Sequence, residues 1–509
     1  MKRAILISIL VFFAFLASSQ ERAFAEGGIA WDSAGKPVCT ASNTQENIRM
    51  AADGSGGAII VWEDYRSGEA DIYAQKIDEN GQPKWDPDGV AVSTATNSQL
   101  RPVIVSDGSG GAIIAWEDYR TGYWNIYAVR ISSAGATYPV GSWMDNGNAL
   151  NPGLYNQFFP EIVSDGSNGA IIVWQEFNGS QYSIYAHGIY GDGNDMWGGS
   201  VAVSSGTAFK EYPKIINDGT GYVIVTWEDY RNGDADIYAH RIDIPSGILD
   251  TSWDINGSTV TVAAGNQLEP QIVKDGLGGA IITWTDYRET TTEPDIYAQR
   301  ISSAGTPVAG WTPDGVPVCK EIYGQYDPVM VENVVGGTIM GAIIMWVDMR
   351  YDPSGDIYAE GVALDDPPLS DQEDIFIAGG PGPQLYPRLV SDSQGGGIGT
   401  CIDNSSKIFA QKRGEYGQLV WSSYPGVLVC GGTDIEDSQI ISDDYGGAIV
   451  AWVARGAGGN SDIFAQRVID DSVTAYASIS GRVIRSDEET AITGVEVEAF
   501  EDGELVSSD

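Results

Sequence analysis

Apolar residues along most of the chain come in short runs, separated by glycine-rich or acidic turns. Asp53 to Ile77 (DGSGGAIIVWEDYRSGEADIYAQKI) sets the pattern: a glycine turn, an apolar run ending in Trp62, a polar turn, and a second run through Ile72 and Tyr73. The text returns at Asp107–Ile131, Asp165–Ile189, Asp218–Ile242 and Asp275–Ile301, and more loosely at Val335–Val362, Asp392–Arg413 and Asp443–Val468. Aligning the second glycine gives positions 57, 111, 169, 221, 279, 341, 396 and 447, so eight units repeat every 51 to 62 residues.

Each unit predicts four strands. In the second, Pro102–Ser106 precedes a DGSGG turn suited to a tight hairpin. Ala112–Glu117 is a near-continuous apolar run, which implies burial on both faces. Asn125–Ile131 alternates with period two. The fourth strand follows a tryptophan and an Asp/Asn-Gly turn, clearest in the first unit as Trp85–Gly89 and then Val90–Thr94. No stretch of helical period competes.

Four antiparallel strands repeated eight times predict an all-β fold, an eight-bladed β-propeller. The chain ends support a closed ring. The eighth unit stops after its third strand, Asp462–Val468, and its missing pieces stand at the N-terminus as Ala30-Trp31, a Gly35 turn and Lys36–Thr40. The N-terminal strand is therefore expected to complete the last blade. Unit six is irregular, with Asp374–Ala378 as its fourth strand behind an acidic, proline-rich stretch, and unit seven carries Cys401 where the others have tryptophan.

Composition narrows the partners. Seventy acidic residues against 28 basic give a net charge of −42, which repels nucleic acid and anionic membrane surfaces. Residues 1–25 read as a signal peptide: Lys2 and Arg3, an apolar stretch Ala4–Ala17, and Ala23-Phe24-Ala25 as a cleavage site. Its removal takes away three basic and one acidic group and leaves a charge near −44. The expected product is secreted (extracellular, cell surface or periplasm) without membrane insertion, with the propeller over 26–470. Cys39, Cys319 and Cys430 share one strand register in different units. Cys401 lies two strands from Cys430, near 10 Å and beyond disulfide reach. Four free, half-buried thiols are expected.

The most regular chemistry is the turn between second and third strands, Asp64-x-Arg66-x-Gly68-x-x-Asp71-Ile72-Tyr73. Its return in most blades argues for a scaffold, with Arg66 bonding Asp64 or Asp71 and Gly68 at positive φ. Trp62, Trp116, Trp174, Trp227, Trp284, Trp346 and Trp452 read as plates that pack blade on blade. The D-x-R-x-G-x-x-D-I-Y pattern resembles the repeat of TolB-type (WD40-like) propellers, although the blades here are longer. That resemblance implies contact with protein or peptide through one face of the ring. From Ser478, ISGRV followed by TGVEVEAF resembles the opening of the transthyretin-like domain of carboxypeptidase regulatory regions. It implies that 471–509 is part of such a β domain, a truncated β-sandwich stub in a longer multidomain chain.

Variation between blades marks the candidate site. The segment entering the innermost strand often reads Gln-x-x-Pro, with Gln99, Gln157, Gln267, Gln325 and Gln384. In a propeller it lies at the mouth of the central channel, on the face of the D-x-R turns. The residue before the proline position changes: Arg101, Phe159, Tyr212, Glu269, Asp327 and Tyr386. A scaffold predicts sameness, so this mixed ring is where a ligand is expected to be read. The opposite face is expected to carry the DGxGG hairpins and the W-x-x-D/N-G turns.

Catalytic signatures are thin. His187 and His240 share one framework register in different blades, no nucleophile elbow or zinc motif occurs, and Asp86–Gly89 lacks the further ligands of a calcium loop. No cofactor and no metal ligand set are expected. The reading is a non-catalytic recognition scaffold for protein or glycan at the channel mouth. The alternatives are a polysaccharide-cleaving enzyme using acidic residues there, with Glu269 and Asp327 as the pair to test, and a structural surface module without ligand.

Overall fold

The computed structural model describes residues 27–137, 141–365, 375–378, 382–404, 406–414, 419–421, 426–432, 434–456 and 458–470, with short strands beyond. It is an eight-bladed β-propeller of antiparallel sheets. Blade 1 consists of Gln45–Ala52, Ala58–Asp64, Asp71–Ile77 and Val90–Ser93, paired in that order from the axis outward. Six further blades repeat this order, with inner strands Gln99–Ser106, Asn156–Ser164, Lys210–Asn217, Gln267–Lys274, Gln325–Val335 and Gln384–Ser391. Blade 8 has Asp434–Ser442, Ala448–Arg455 and Ser461–Asp470. The N-terminus completes it: Lys36–Cys39 pairs with the last of these, and Gly27–Ile29 pairs with its far end. The chain thus closes its own ring, and the outer strand of blade 6 is Ile375–Ala378 as expected.

Every residue of the second strand Ala58–Asp64 is buried, because neighbouring blades cover both of its faces. Trp62, Trp116, Trp174, Trp227, Trp284 and Trp346 are fully buried. Trp116 packs in one core with Ile59, Val61 and Val92 of the preceding blade.

The polar turns hold these plates. Asp64 accepts the Trp62 indole N–H at 2.8 Å and a bidentate pair from Arg66, at 2.8 and 2.6 Å. Arg66 also stacks 4.0 Å over Tyr73 and donates to the Asp88 carbonyl at 2.8 Å. Asp71 instead takes the Ser67 hydroxyl, and Gly68 sits at φ +102. The same set recurs with Arg120, Arg231, Arg288 and Arg350, so the motif is a scaffold. The W-x-x-D-G turn lies beside Gln75 and Lys76 of the third strand, and the long Arg66 side chain reaches across to its Asp88 carbonyl.

Two further ties join several blades to the next. Trp85 donates its indole N–H to the Ser133 carbonyl at 3.1 Å, and Trp143, Trp253 and Trp311 do the same one blade on. Arg130 pairs with the hairpin Asp107 of its own blade and reaches the Gly191 carbonyl of the next. The four cysteines are free, and they are fully buried rather than half-buried. Burial pushes the Cys39, Cys401 and Cys430 thiols up to about 12.

Beyond 470, the described strands form two small ladders, Val483–Arg485 with Glu488–Ile492 and Phe500–Glu501 with Glu504–Leu505. The segment expected to be a signal peptide and most of the segment expected to be transthyretin-like lie outside the described residues.

Candidate functional site: the mouth of the central channel

The inner strands start at the end of the blade that carries the D-x-R turns. Gln99 pairs with Asp118, and Asp118 with Asn125. These strands are longer than the apolar pattern predicts, beginning at Gln99 rather than Pro102, because each is interrupted by a bulge. Register is lost between Leu100 and Val103, and at the equivalent place in every other blade. Proline has no N–H to leave unpaired, which suits it to the looped-out position.

The residue before that position adopts a left-handed backbone. Arg101, Phe159, Tyr212, Glu269, Asp327 and Tyr386 have φ between +50 and +58, and Asn47 fills the same place in blade 1 at +53. In blades 2 to 6 the N–H of this residue meets an acceptor of the preceding blade. Glu63 accepts it from Arg101 at 2.7 Å, Glu117 from Phe159 at 2.8 Å, Gln175 from Tyr212 at 2.8 Å and Glu228 from Glu269 at 2.9 Å. In blade 5 the acceptor position holds Thr285. Glu269 itself takes over: its carboxylate accepts the Asp327 N–H and the Thr285 hydroxyl, the latter at 3.0 Å. The Gln of Gln-x-x-Pro is framework: Gln99 donates to the carbonyls of Ala95 and Asn97.

Five of the six sequence-predicted residues, Phe159, Tyr212, Glu269, Asp327 and Tyr386, line one cavity of about 740 Å³. Arg101 stands beside it, 4.9 Å over the Phe159 ring and 2.8 Å from Glu117. Phe159 and Tyr212 lie 5.2 Å apart. Sequence reasoning missed a second tier one step down the channel, immediately after each proline: Glu161, Lys214, Gln271, Val329 and Arg388. Lys214 pairs with Glu161 across the blade boundary, and Arg388 with Asp437 at 3.4 Å. The same blade-to-blade variation, read two places further along, marks this tier. It also missed Glu228, which lines the cavity from the buried end of a second strand.

Burial governs the electrostatics. It pushes the Glu117 carboxyl up to about 6 and that of Glu228 up to about 7. Glu269 and Asp327 touch solvent in the mouth, yet the surrounding wall raises both, and the Asp327 charge raises Glu269 further. Burial lowers Arg388, against the pull of Asp437.

The two histidines are framework. His187 meets Ser200 at 3.1 Å, His240 accepts the Arg241 N–H at 2.8 Å, and burial lowers the pKa of both. Among the described residues, no group of three or more His, Cys, Asp or Glu is placed to hold a metal ion.

No family model matches the chain, and neither does any curated protein. Solved structures do. A puromycin hydrolase matches at 12% identity and a TM-score of 0.43, over 84% of this chain; the chain spans 62% of that protein's length. A putative 6-phosphogluconolactonase from Bacteroides fragilis matches at 14% identity and a TM-score of 0.41, over 74% of this chain and 97% of that one. An α-L-arabinanase from Penicillium chrysogenum, complexed with arabinobiose, matches at 13% identity and a TM-score of 0.40, over 64% and 97%. These likenesses concern the fold alone.

Proposed function

We propose that the chain is an exported, non-catalytic recognition scaffold that binds protein or glycan at the channel mouth. One observation carries this reading: bulky side chains occupy left-handed positions where glycine is the unstrained choice. Phe159, Tyr212, Glu269, Asp327 and Tyr386 all do so around one cavity. Such conformations persist where the surroundings over-determine them, and they gather at ligand clamps. The signal-like N-terminus and the D-x-R-x-G-x-x-D-I-Y likeness to TolB-type propellers support export and contact through this face.

The rival reading is polysaccharide cleavage by Glu269 and Asp327. It is disfavoured because the Glu269 carboxylate is already occupied by Thr285 and the Asp327 N–H. Reducing-end release from a polysaccharide panel, lost in Glu269→Gln, would restore it.

A glycan and secreted-protein array identifies the ligand, and titration of two variants locates it. Truncating a stacking aromatic removes roughly 1–3 kcal/mol of binding. Phe159→Ala and Tyr212→Ala are each expected to weaken binding at least fivefold with a nearly unchanged melting temperature. Normal binding by both, with loss on altering the DGxGG face, overturns the assignment.

A further inference from the structure

The cavity is not evenly charged. Three basic side chains at or beside it have acidic partners, Arg101 with Glu117, Lys214 with Glu161, and Arg388 with Asp437. Arg49, in the same tier of blade 1, donates to the Ile48 carbonyl and acts on Asp437 and Arg388, away from blades 4 to 6. Blades 4, 5 and 6 contribute Glu228, Glu269 and Asp327 in succession. Among the described residues, no lysine or arginine lies within ion-pair distance of any of the three. Aromatic rings flank this arc, with Tyr212 and Tyr230 on one side and Tyr386 on the other, all lining the same cavity.

The fold does not demand these charges. Gln175 does in blade 3 what Glu228 does in blade 4, accepting the next blade's left-handed N–H at 2.8 Å against 2.9 Å. The corresponding positions in blades 5 and 6 are Thr285 and Val347. Asp327 uses its backbone, not its carboxylate, in the contact with Glu269. Neutral donors serve two of the carboxylates, Tyr230 for Glu228 at 3.2 Å and Thr285 for Glu269 at 3.0 Å, and Arg388 draws on Asp327 only from beyond ion-pair distance. A carboxylate without an ion-pair partner in a partly desolvated wall still favours an added cation, and the face of a tyrosine also attracts one.

We infer that the mouth receives an organic cation, an ammonium or guanidinium group, seated against Glu228, Glu269 and Asp327 between Tyr212 and Tyr386. This rests on the mouth being the binding site. Its source is either a basic polypeptide side chain or an amino sugar, which share the chemistry.

The full chain is titrated in 150 mM NaCl with hexalysine, hexa-arginine, a glucosamine hexamer and its neutral N-acetylated counterpart. At least one cationic probe is expected to bind ten times more tightly than the neutral hexamer, and the tightest of them identifies the source. Glu228→Gln, Glu269→Gln and Asp327→Asn keep an oxygen acceptor or a residue tolerant of positive φ, so the fold is retained. Each should weaken the cationic probe at least fivefold without lowering the melting temperature. The control, Glu79→Gln with Asp444→Asn, removes two exposed charges on the hairpin face and should leave affinity unchanged. An equal loss in that control means diffuse attraction to an acidic protein and overturns the inference. Equal affinity for the neutral hexamer, or no binding of any cationic probe, also overturns it. If neutral binding remains sensitive to Phe159→Ala, only the cation is wrong; if no binding responds to Phe159→Ala or Tyr212→Ala, the mouth itself is wrong.

Discussion

At the scale of the residue, one backbone conformation distinguishes the site. A left-handed φ brings Cβ toward the carbonyl oxygen and is unfavourable by about 1–2 kcal/mol for any residue with a side chain. Phe159 at φ +54 accepts this, and its N–H gains the Glu117 carboxylate at 2.8 Å. Phe159→Ala keeps the strain and Phe159→Gly removes it, so the glycine variant should be more stable than the alanine variant by about 1 kcal/mol in denaturant unfolding. An alanine variant of equal or greater stability means the strain is not there. The sequence pointed to these six positions through their variation in an otherwise constant frame. It did not disclose their conformation, because a residue before proline ordinarily reads as extended. The bulge that turns its N–H toward the preceding blade follows from pairing between blades, which no local pattern records.

At the scale of the element, the blade is built on a buried carboxylate that serves a tryptophan and an arginine together. Asp118 accepts the Trp116 indole at 2.9 Å and the Arg120 guanidinium at 2.8 and 2.5 Å, in a fully buried position. Removing it strands a buried N–H and a guanidinium at once. Asp118→Ala should therefore lower unfolding free energy by about 3 kcal/mol, a loss typical of a broken buried pair, while Arg120→Lys, which keeps the charge without the fork, should lose less. A loss below 1 kcal/mol would sink the scaffold reading of the turn. The strands, their order and this turn were legible because period, glycine turns and tryptophans repeat in register. Glu228 was not: it sits at the end of an apolar run, where its place on the channel wall depends on blade curvature. Nor were the indole ties from Trp85 to Ser133 and its equivalents, since each joins residues about fifty positions apart.

At the scale of the whole molecule, a closed ring with a net charge of −42 has buried many of its carboxyls. Burial raises Glu117, Asp236 and Asp356 to about 6, and Glu228 and Asp295 to about 7, from ordinary values near 4. Between those limits the folded chain holds protons that the unfolded chain releases, so stability falls as pH rises through 6 and 7. The penalty is absent near pH 4 and complete above pH 7. His187 and His240 work the other way: burial lowers both, so the unfolded chain takes up their protons first and stability falls as pH drops below about 6.5. Five carboxyls oppose two imidazoles, and the carboxyls set the sign. The melting temperature should be higher at pH 5.5 than at pH 8. Measuring it in 0.5 M NaCl screens the general self-repulsion of an acidic surface and leaves the buried groups. Glu228→Gln and Asp295→Asn should each raise the melting temperature at pH 8 and narrow the gap between the two pH values. A melting temperature that rises from pH 5.5 to pH 8 in high salt would mean that these carboxyls are ionised at no penalty, and the electrostatic account of both the blade junctions and the channel mouth would fall with it.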